Sequence, residues 1–146
     1  MSRIEHIVDV NTATVESTAD VILVNGEAFT YKNTGLTRRV FVNKDKTLVV
    51  KVPVNKFDQR HNDKEAEHWD ECDEEQRKEL AETKRLPNGY ILQEFLQTFD
   101  DDSTPEWLGR PLTMDEIGFA SSCRSEVGFD ANGVLKCYDY DEYKKY

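Results

Sequence analysis

The dipeptide Asn25-Gly26 constrains the fold of this chain more than any other short segment. It stands between two runs of apolar and β-prone residues, Val21–Val24 and 27–31. A two-residue hairpin turn needs positive φ at both central residues, and Asn-Gly accepts those angles readily. The segment therefore predicts a β-hairpin whose two strands belong to an antiparallel sheet.

A second hairpin is predicted shortly after the first one. The runs 39–42 and 47–52 are rich in valine and flank a polar turn at 43–46. Proline cannot donate a hydrogen bond to a strand ladder, so Pro53 is expected to end the second of these strands. Four consecutive antiparallel strands would therefore come before any long helix.

The residue pattern becomes helical between residues 58 and 84, where Lys, Glu, Gln and Ala dominate. Few apolar positions fall in this region, so we expect one long or broken helix, with Asn62 or Asp63 as its N-cap. The Pro-Asn-Gly turn at 87–89 then precedes an apolar run at 90–96, which predicts a buried strand.

The last part of the chain predicts a closing hairpin. One short helix is expected near residues 115–122, and the runs 127–130 and 134–139 flank an Asn-Gly turn signal. We therefore predict an α+β fold with a mainly antiparallel sheet. In this prediction residues 1–20 are an N-terminal extension, and residues 21–146 form a single domain.

Charge and composition disfavour several classes of function. The chain carries 29 acidic and 19 basic residues, a formal charge of −10, which repels nucleic acid and anionic lipid. No run approaches the roughly 20 apolar residues that span a bilayer, and the N-terminus lacks the apolar core of a signal peptide. The three cysteines show no CxxC spacing, so reduced thiols in a cytoplasm are the expectation.

Three local patterns occur in an informative order along the chain. Lys51 is a lone charge inside an apolar strand, and Glu65 is one of the acids on the helix that follows. A cluster containing Asp139 and Asp141 closes the final hairpin. An ammonium beside an opposite carboxylate is fixed in place, and a nearby acid can hold a divalent cation that bridges phosphate oxygens. Such a set of side chains is suited to handling an anion.

This order resembles the amino-terminal lobe and hinge of the protein-kinase-like fold, followed by the metal-binding hairpin of its second lobe. The resemblance covers residues 20–142. In that family a strand lysine binds the nucleotide phosphates and pairs with a helix glutamate, and an Asp of D-F-G type holds magnesium. The fold expected from the resemblance is a kinase-like sheet lobe with a short C-terminal β-hairpin.

The resemblance implies a role for each matching residue. Lys51 would be the strand lysine and Glu65 its helix partner, while Glu94 would lie in the hinge. The segment that begins at Asp139 stands where D-F-G belongs, so Asp139 and Asp141 would be the metal ligands. No bound cofactor is required in this interpretation, although the resemblance allows ATP and Mg²⁺.

Departures from the family pattern predict that phosphate transfer is lost. The turn at 32–37 contains one glycine, where the family has a glycine-rich loop. Counting back from the final hairpin places Ser121 where the family has its catalytic aspartate, and Glu126 where it has a metal-binding asparagine. The sequence also reaches Tyr146 without an activation segment. We therefore expect no catalytic residues and a protein of the pseudokinase type.

Simpler interpretations stay open for the same residues. Lys51 could lie on an edge strand with its stem over apolar surface, and Asp139 could be the charged end of such a strand. The acids of residues 63–82 could form only a solvated helix face. These alternatives make the spatial convergence of residues 51, 65 and 139 the decisive question.

The function expected from these features is non-catalytic binding. Small truncated relatives resemble bacteriophage factors, so we expect a protein that inhibits or modulates a host protein in the bacterial cytoplasm. The acids of residues 63–82 and 100–102 would dock on a basic partner, such as a nucleic-acid-binding host protein. One alternative is a nucleotide-binding enzyme that uses Lys51, Glu65 and Asp139, and another is an acidic mimic of nucleic acid.

The oligomeric state is open between monomer and homodimer, and direct binding of nucleic acid or membrane is not expected. A sheet lobe without its second lobe exposes apolar surface. The residues expected to cover that surface, or to join two copies, are Phe95, Leu96, Phe99, Trp107, Leu108 and Tyr138.

Overall fold

The computed structural model describes residues 10, 12–35, 37–98, 106–123 and 126–140 of the chain. Its fold class is α+β, with a large, curled antiparallel sheet, a smaller second sheet and few helices. The predicted class and the mainly antiparallel sheet are therefore confirmed. Within those ranges, no helix combines the length and the apolar character needed to cross a membrane.

Seven strands form the large sheet. They are β1 (Val15–Ser17), β2 (Val21–Val24), β3 (Glu27–Thr34), β4 (Arg38–Asn43), β5 (Leu48–Pro53), β6 (Thr83–Arg85) and β7 (Ile91–Glu94). Their order is β1-β2-β3-β4-β5-β7-β6, and every neighbouring pair is antiparallel. Strand β7 therefore inserts between β5 and β6, which leaves β5 in the interior of the sheet.

The small sheet and the helices complete the described fold. The small sheet has the order β10-β9-β8, with β8 at Gln97–Thr98, β9 at Val127–Phe129 and β10 at Leu135–Cys137. The helices are α1 (Gln59–Glu71), α2 (Glu74–Arg77) and α3 (Met114–Ser122), with 3₁₀ turns at Lys56–Asp58 and Glu106–Leu108. Because β8 follows β7 closely, the small sheet is attached to the large one near the end of β7.

The hairpins predicted from turn residues are all present. Asn25 and Gly26 have φ of 51° and 83°, the positive values that the β2–β3 turn requires. Strands β4 and β5 form the second hairpin, and Pro53 is the last residue of β5. In the third hairpin, Asp130 Oδ1 accepts hydrogen bonds from the backbone across the turn between β9 and β10.

The helical region is a broken helix, which is one of the two forms that the sequence predicted. The predicted N-cap is wrong. The chain becomes extended at Cys72, and Asp73 caps α2 through its side chain. Asn55 caps the 3₁₀ turn that leads into α1, whereas Asn62 is buried inside α1. Instead of capping the helix, the Asn62 side chain donates to the backbone carbonyl oxygens of Lys51 and Gly89.

Strands β6 and β8 are absent from the sequence prediction, and β1 falls inside the predicted N-terminal extension; each of the three depends on its neighbours. Strand β1 pairs with β2, and Val10 and Ala13 are buried in the core of the large sheet. The described part of the predicted extension therefore packs with the rest of the sheet. Strand β6 falls inside the region predicted as helix and pairs with β7. Short, polar strands of this kind have little local signal, since pairing and burial stabilise them.

Alternation along the central strands separates the residues of a hydrophobic core from those that line a cleft. Phe41 and Val50 are fully buried in the core of the large sheet. Their neighbours Val40, Val49 and Lys51 line a cleft instead. Successive side chains of a strand point to opposite faces, so the same strands supply both surfaces.

A second hydrophobic core joins the end of α1 and helix α3 to the small sheet. Its buried members are Trp69, Leu80, Ala120, Cys123, Val127, Phe129, Leu135, Cys137 and Tyr140. The cysteines at 72, 123 and 137 form no disulfide. A Cβ at Gly128 would lie 2.8 Å from both Leu96 Cβ and Gln97 O, so only glycine allows β9 to approach β8 this closely.

The apolar residues expected to cover exposed surface differ in how far they are buried. Leu96 is buried, and Leu108 packs against the second core. Trp107 stays 44% exposed while its ring meets Phe129 edge-on. Phe99 lies outside the described residues.

Protonation of Glu116 is predicted to weaken the fold at low pH. The hydrogen bond from Arg110 and the capping contacts with Thr113 lower the pKa of Glu116 from 4.5 to about 2, although burial opposes this. A carboxyl group with a lowered pKa in the folded state contributes stability above about pH 4.5, which is lost as the pH falls toward about 2. The free energies of unfolding of the wild type and Glu116→Gln, measured with urea, should therefore differ most at neutral pH. A difference that stays constant down to low pH would contradict this.

Candidate functional site

A cleft of about 340 Å³ lies between the large sheet and the small sheet. Charged groups of both signs face it, with Lys32, Arg38 and Lys51 as the cations and Glu94, Glu126 and Asp139 as the acids. Its remaining lining residues are Asn33, Thr34, Gly35, Val40, Val49, Gln93, Phe95, Leu96, Thr98 and Tyr138. A concave site with apolar walls and a few convergent polar groups is typical of small-molecule binding.

Lys51 lies at the inner end of this cleft. It belongs to β5, which is paired on both sides by β4 and β7, and its side chain is 4% exposed. Its Nζ is 2.6 Å from Glu65 Oε1 and also donates to the carbonyl oxygen of Tyr138. The alternative in which Lys51 sits on an edge strand facing solvent is therefore wrong.

Glu65 is the fully buried centre of the site. Its Oε1 accepts from Lys51 and, at 2.8 Å, from Gln93 Nε2, while its Oε2 accepts from Arg38 Nη1 at 2.7 Å. A buried carboxylate is tolerated only when hydrogen-bond donors replace the lost water. Three donors from three different strands meet this requirement.

The inward face of α1 places Glu65 opposite Lys51. Asn62, Glu65, Ala66 and Trp69 are buried, and their spacing of three and four residues defines one face of a helix. Asn62 Nδ2 donates to the carbonyl oxygens of Lys51, at 3.0 Å, and Gly89, at 3.2 Å. These contacts attach α1 to the backbone of the strand that carries Lys51.

Asp139 joins the same network through Arg38. The side chain of Asp139 is 32% exposed, and its Oδ1 accepts a hydrogen bond from Arg38 Nη2. Since Arg38 also contacts Glu65, one guanidinium connects the helix acid to the acid that follows β10. The structure therefore brings Lys51, Glu65 and Asp139 together, as the sequence analysis predicted for the site.

Arg38 is the site residue that the sequence analysis missed. An Arg-Arg pair at the start of a strand gives no local reason to expect burial, yet Arg38 is 4% exposed. The available signal was the register of the hairpin. Val40 lies opposite Lys51, and Arg38 precedes Val40 by two residues on the same face of β4.

Glu94, another predicted ligand, is not part of this network. Glu94 lines the cleft, but its carboxylate pairs with Lys136 at 3.0 Å. Burial of Lys136 opposes its charged form, but Glu94 and Asp130 outweigh burial and raise the pKa of Lys136. Asp141 lies outside the described residues.

A chain of hydrogen bonds continues from the cleft to the C-terminal segment. Gln93 Nε2 donates to Thr83 Oγ1 at 2.9 Å, and Thr83 Oγ1 lies 2.5 Å from the hydroxyl of Tyr140. Burial, together with the negative charge of Glu65, raises the pKa of Tyr140 well above its ordinary value. The neutral phenol therefore stabilises the position of the segment that carries Asp139.

Tyr138 forms part of the wall of the cleft beside the ionic network. Burial, and next the negative charges of Glu126 and Asp139, raise the pKa of Tyr138 to about 12. The Lys51 ammonium lies 5.9 Å from the centre of the Tyr138 ring. The site thus contains fixed charges and a phenol that stays neutral at physiological pH.

The carboxylates of the cleft do not fit a divalent cation. Among the described residues, no group of three or more His, Cys, Asp or Glu side chains is arranged to hold a metal. The carboxylate of Asp139, the predicted ligand inside these ranges, already faces the guanidinium of Arg38. A cation beside that guanidinium would be repelled.

The two residues that the resemblance matched to kinase catalytic positions, Ser121 and Glu126, differ in their relation to the cleft. Glu126 lines the cleft, whereas Ser121 is exposed in the last turn of α3 and is not part of the lining.

Comparison of the chain with protein-family models, curated proteins and solved structures gives no match.

Removal of the Glu65 carboxylate is predicted to destabilise the protein strongly. Glu65→Ala leaves the charges of Lys51 and Arg38 buried without their shared partner, which should lower the free energy of unfolding by about 3 kcal/mol or more. Glu67→Ala is the matched control, because Glu67 is exposed on the same helix, and it should change stability by less than about 0.5 kcal/mol. Urea unfolding measures both. Equal effects of the two substitutions would show that the Glu65 contacts contribute little.

Proposed function

We propose that this protein is a kinase-like binding domain without phosphate transfer, and that its cleft binds a nucleoside phosphate. The observation that carries the proposal is the buried ion pair between Lys51 Nζ and Glu65 Oε1, at 2.6 Å. A strand lysine paired with a glutamate of the next helix is the arrangement that kinase-like proteins use to position nucleotide phosphates. The proximity of Asp139 gives the resemblance further support.

The chemistry of the cleft suits a ligand with an apolar ring and an anionic group. Val40 and Val49 provide an apolar wall for a base, next to the segment 93–96 that the resemblance treats as a hinge. Lys51 and Arg38 provide fixed positive charge at the inner end, where a phosphate would lie. Lysine acts as a point charge toward phosphate, while arginine can donate two parallel hydrogen bonds.

Binding without transfer is favoured by the residues around the cleft. Phosphate transfer in kinases uses an aspartate that accepts the proton of the substrate hydroxyl. The matching residue is Ser121, whose hydroxyl is a much weaker base and lies outside the cleft lining. Glu126 lines the cleft at the position of the metal-binding asparagine, but it is a carboxylic acid in place of a neutral amide.

A second proposed function, docking on a basic partner, is supported by the exposure of the acids around α1 and α2. Eight of the ten acids between residues 63 and 82 are exposed, namely Asp63, Glu67, Asp70, Glu71, Asp73, Glu74, Glu75 and Glu79. The acids at 100–102 lie outside the described residues. Complementary charge accelerates association and makes it sensitive to salt. In a bacteriophage protein such a surface would act on a host protein, including one that binds nucleic acid.

Nucleotide binding is predicted to stabilise the protein measurably. ATP at about 100 times its Kd should raise the free energy of unfolding by about 2.7 kcal/mol. Val40→Trp should abolish the shift, because the larger side chain fills the cleft at its apolar wall. Thermal unfolding with and without ATP measures both effects, and no ADP should form during the incubation.

The control for this experiment is Val42→Trp. Val42 lies on the same strand and the same face as Val40, but it is not part of the cleft lining. This variant should keep the ATP-dependent shift. A shift that survives Val40→Trp, or no shift in the wild type at millimolar ATP, would contradict the proposed ligand site.

Reversal of charge on the acidic surface is predicted to abolish partner binding. The triple variant Glu67→Lys, Glu71→Lys and Glu74→Lys changes exposed residues of α1 and α2. Affinity capture from a bacterial lysate should retain a partner on the wild type at low salt and lose it at high salt or with the variant. Displacement of the partner by DNA would identify nucleic-acid mimicry as the mechanism.

A second triple variant controls for total charge. Glu16→Lys, Asp20→Lys and Asp45→Lys make the same change in net charge at exposed positions of the β1–β5 region. This control should keep the partner. Equal retention by both triple variants would show that the acids of α1 and α2 are not the docking surface.

A further inference from the structure

Arg38 connects two carboxylates that reach the cleft from different parts of the fold. Its Nη1 lies 2.7 Å from Glu65 Oε2, on α1, and its Nη2 donates to Asp139 Oδ1, just after β10. The side chain is buried, so these contacts form away from bulk water. Charge-assisted hydrogen bonds of this kind are the strong ones in proteins.

The chemistry of a guanidinium differs from that of a bound metal ion. A guanidinium stays charged at any physiological pH and presents its donors in a rigid plane that matches carboxylates. A divalent cation instead requires several oxygen ligands around it. Because Asp139 is engaged by Arg38, a metal ion at Asp139 would have to approach a fixed positive charge.

We propose that Arg38 takes the place of the divalent cation in this cleft, so that a phosphate-bearing ligand binds as the free anion and not as its magnesium complex. Lys51 belongs to the same ionic network, so a phosphate oxygen beside it meets two fixed monovalent cations. The identity of the ligand rests on the proposed function. The metal part of the inference stands on the contact between Arg38 and Asp139.

The first experiment measures metal binding without any nucleotide. Titration of Mn²⁺, followed by electron paramagnetic resonance of the free ion, compares the wild type with Arg38→Ala. Loss of the guanidinium removes the cation that Glu65 and Asp139 share. Arg38→Ala should therefore bind Mn²⁺ about tenfold more tightly than the wild type, and adding Asp139→Asn should remove the gain.

Arg39→Ala is the matched control for that gain. Arg39 is the next residue of β4, and its guanidinium contacts the carbonyl oxygen of Ala19 and the rings of Tyr31 and Phe41 instead of the cleft acids. Its substitution removes the same charge from the chain without exposing Asp139. An equal gain in Arg39→Ala would overturn the proposal, because net charge alone would then explain it.

Asp139→Asn in the wild-type background keeps the test decisive if Arg38→Ala does not fold. Asp139 is partly exposed, and Arg38 remains bonded to Glu65 in this variant. With Arg38 in place, Asp139→Asn should leave Mn²⁺ binding unchanged. A loss of about tenfold in Mn²⁺ affinity would show that Asp139 already holds a metal, which overturns the proposal.

The second experiment compares ATP affinity in EDTA with ATP affinity in excess Mg²⁺. The affinity should be the same or lower with Mg²⁺. An increase of about tenfold that depends on Asp139 would overturn the proposal. Failure of ATP to bind under both conditions would contradict the proposed function alone, since the Mn²⁺ titrations still decide the role of Arg38.

Discussion

The buried carboxylate of Glu65 is the group on which the arrangement of this structure depends. A carboxylate withdrawn from water must recover its lost hydration from nearby donors. Lys51, Arg38 and Gln93 supply these donors from β5, β4 and β7. Helix α1 and three strands therefore meet at one side chain, which couples the position of the helix to the register of the sheet.

The same network extends to the small sheet and balances its own charge. Two cations, Lys51 and Arg38, face two carboxylates, Glu65 and Asp139. Lys51 also donates to the carbonyl oxygen of Tyr138, so both cations of the network bind the segment after β10 to the large sheet. A cleft built in this way has charged groups fixed by their partners, as a preorganised binding site requires.

Local sequence signals predicted the hairpins well because each consists of two β-prone runs on either side of a short turn, all within adjacent residues. Asn25-Gly26 and Pro53 lie where the pattern predicted a turn and a strand end. Lys51 was recognisable because a lone charge inside an apolar strand conflicts with the pattern around it. Arg38 gave no such signal, since its burial depends on the pairing of β4 with β5 and on contacts with distant acids.

The amino-acid sequence by itself determined the turns, the alternation of core and cleft residues along β4 and β5, and the supply of acids that Lys51 could meet. Only the tertiary structure decided that Glu65, among the many acids of that region, is the buried partner, and that Arg38 pairs with Asp139 over a separation of 101 residues. The physical reason is the separation along the chain of the residues that determine each feature. Turn conformation and side-chain alternation follow from adjacent residues, whereas the partner of a buried charge follows from how strands and helices pack once they have formed.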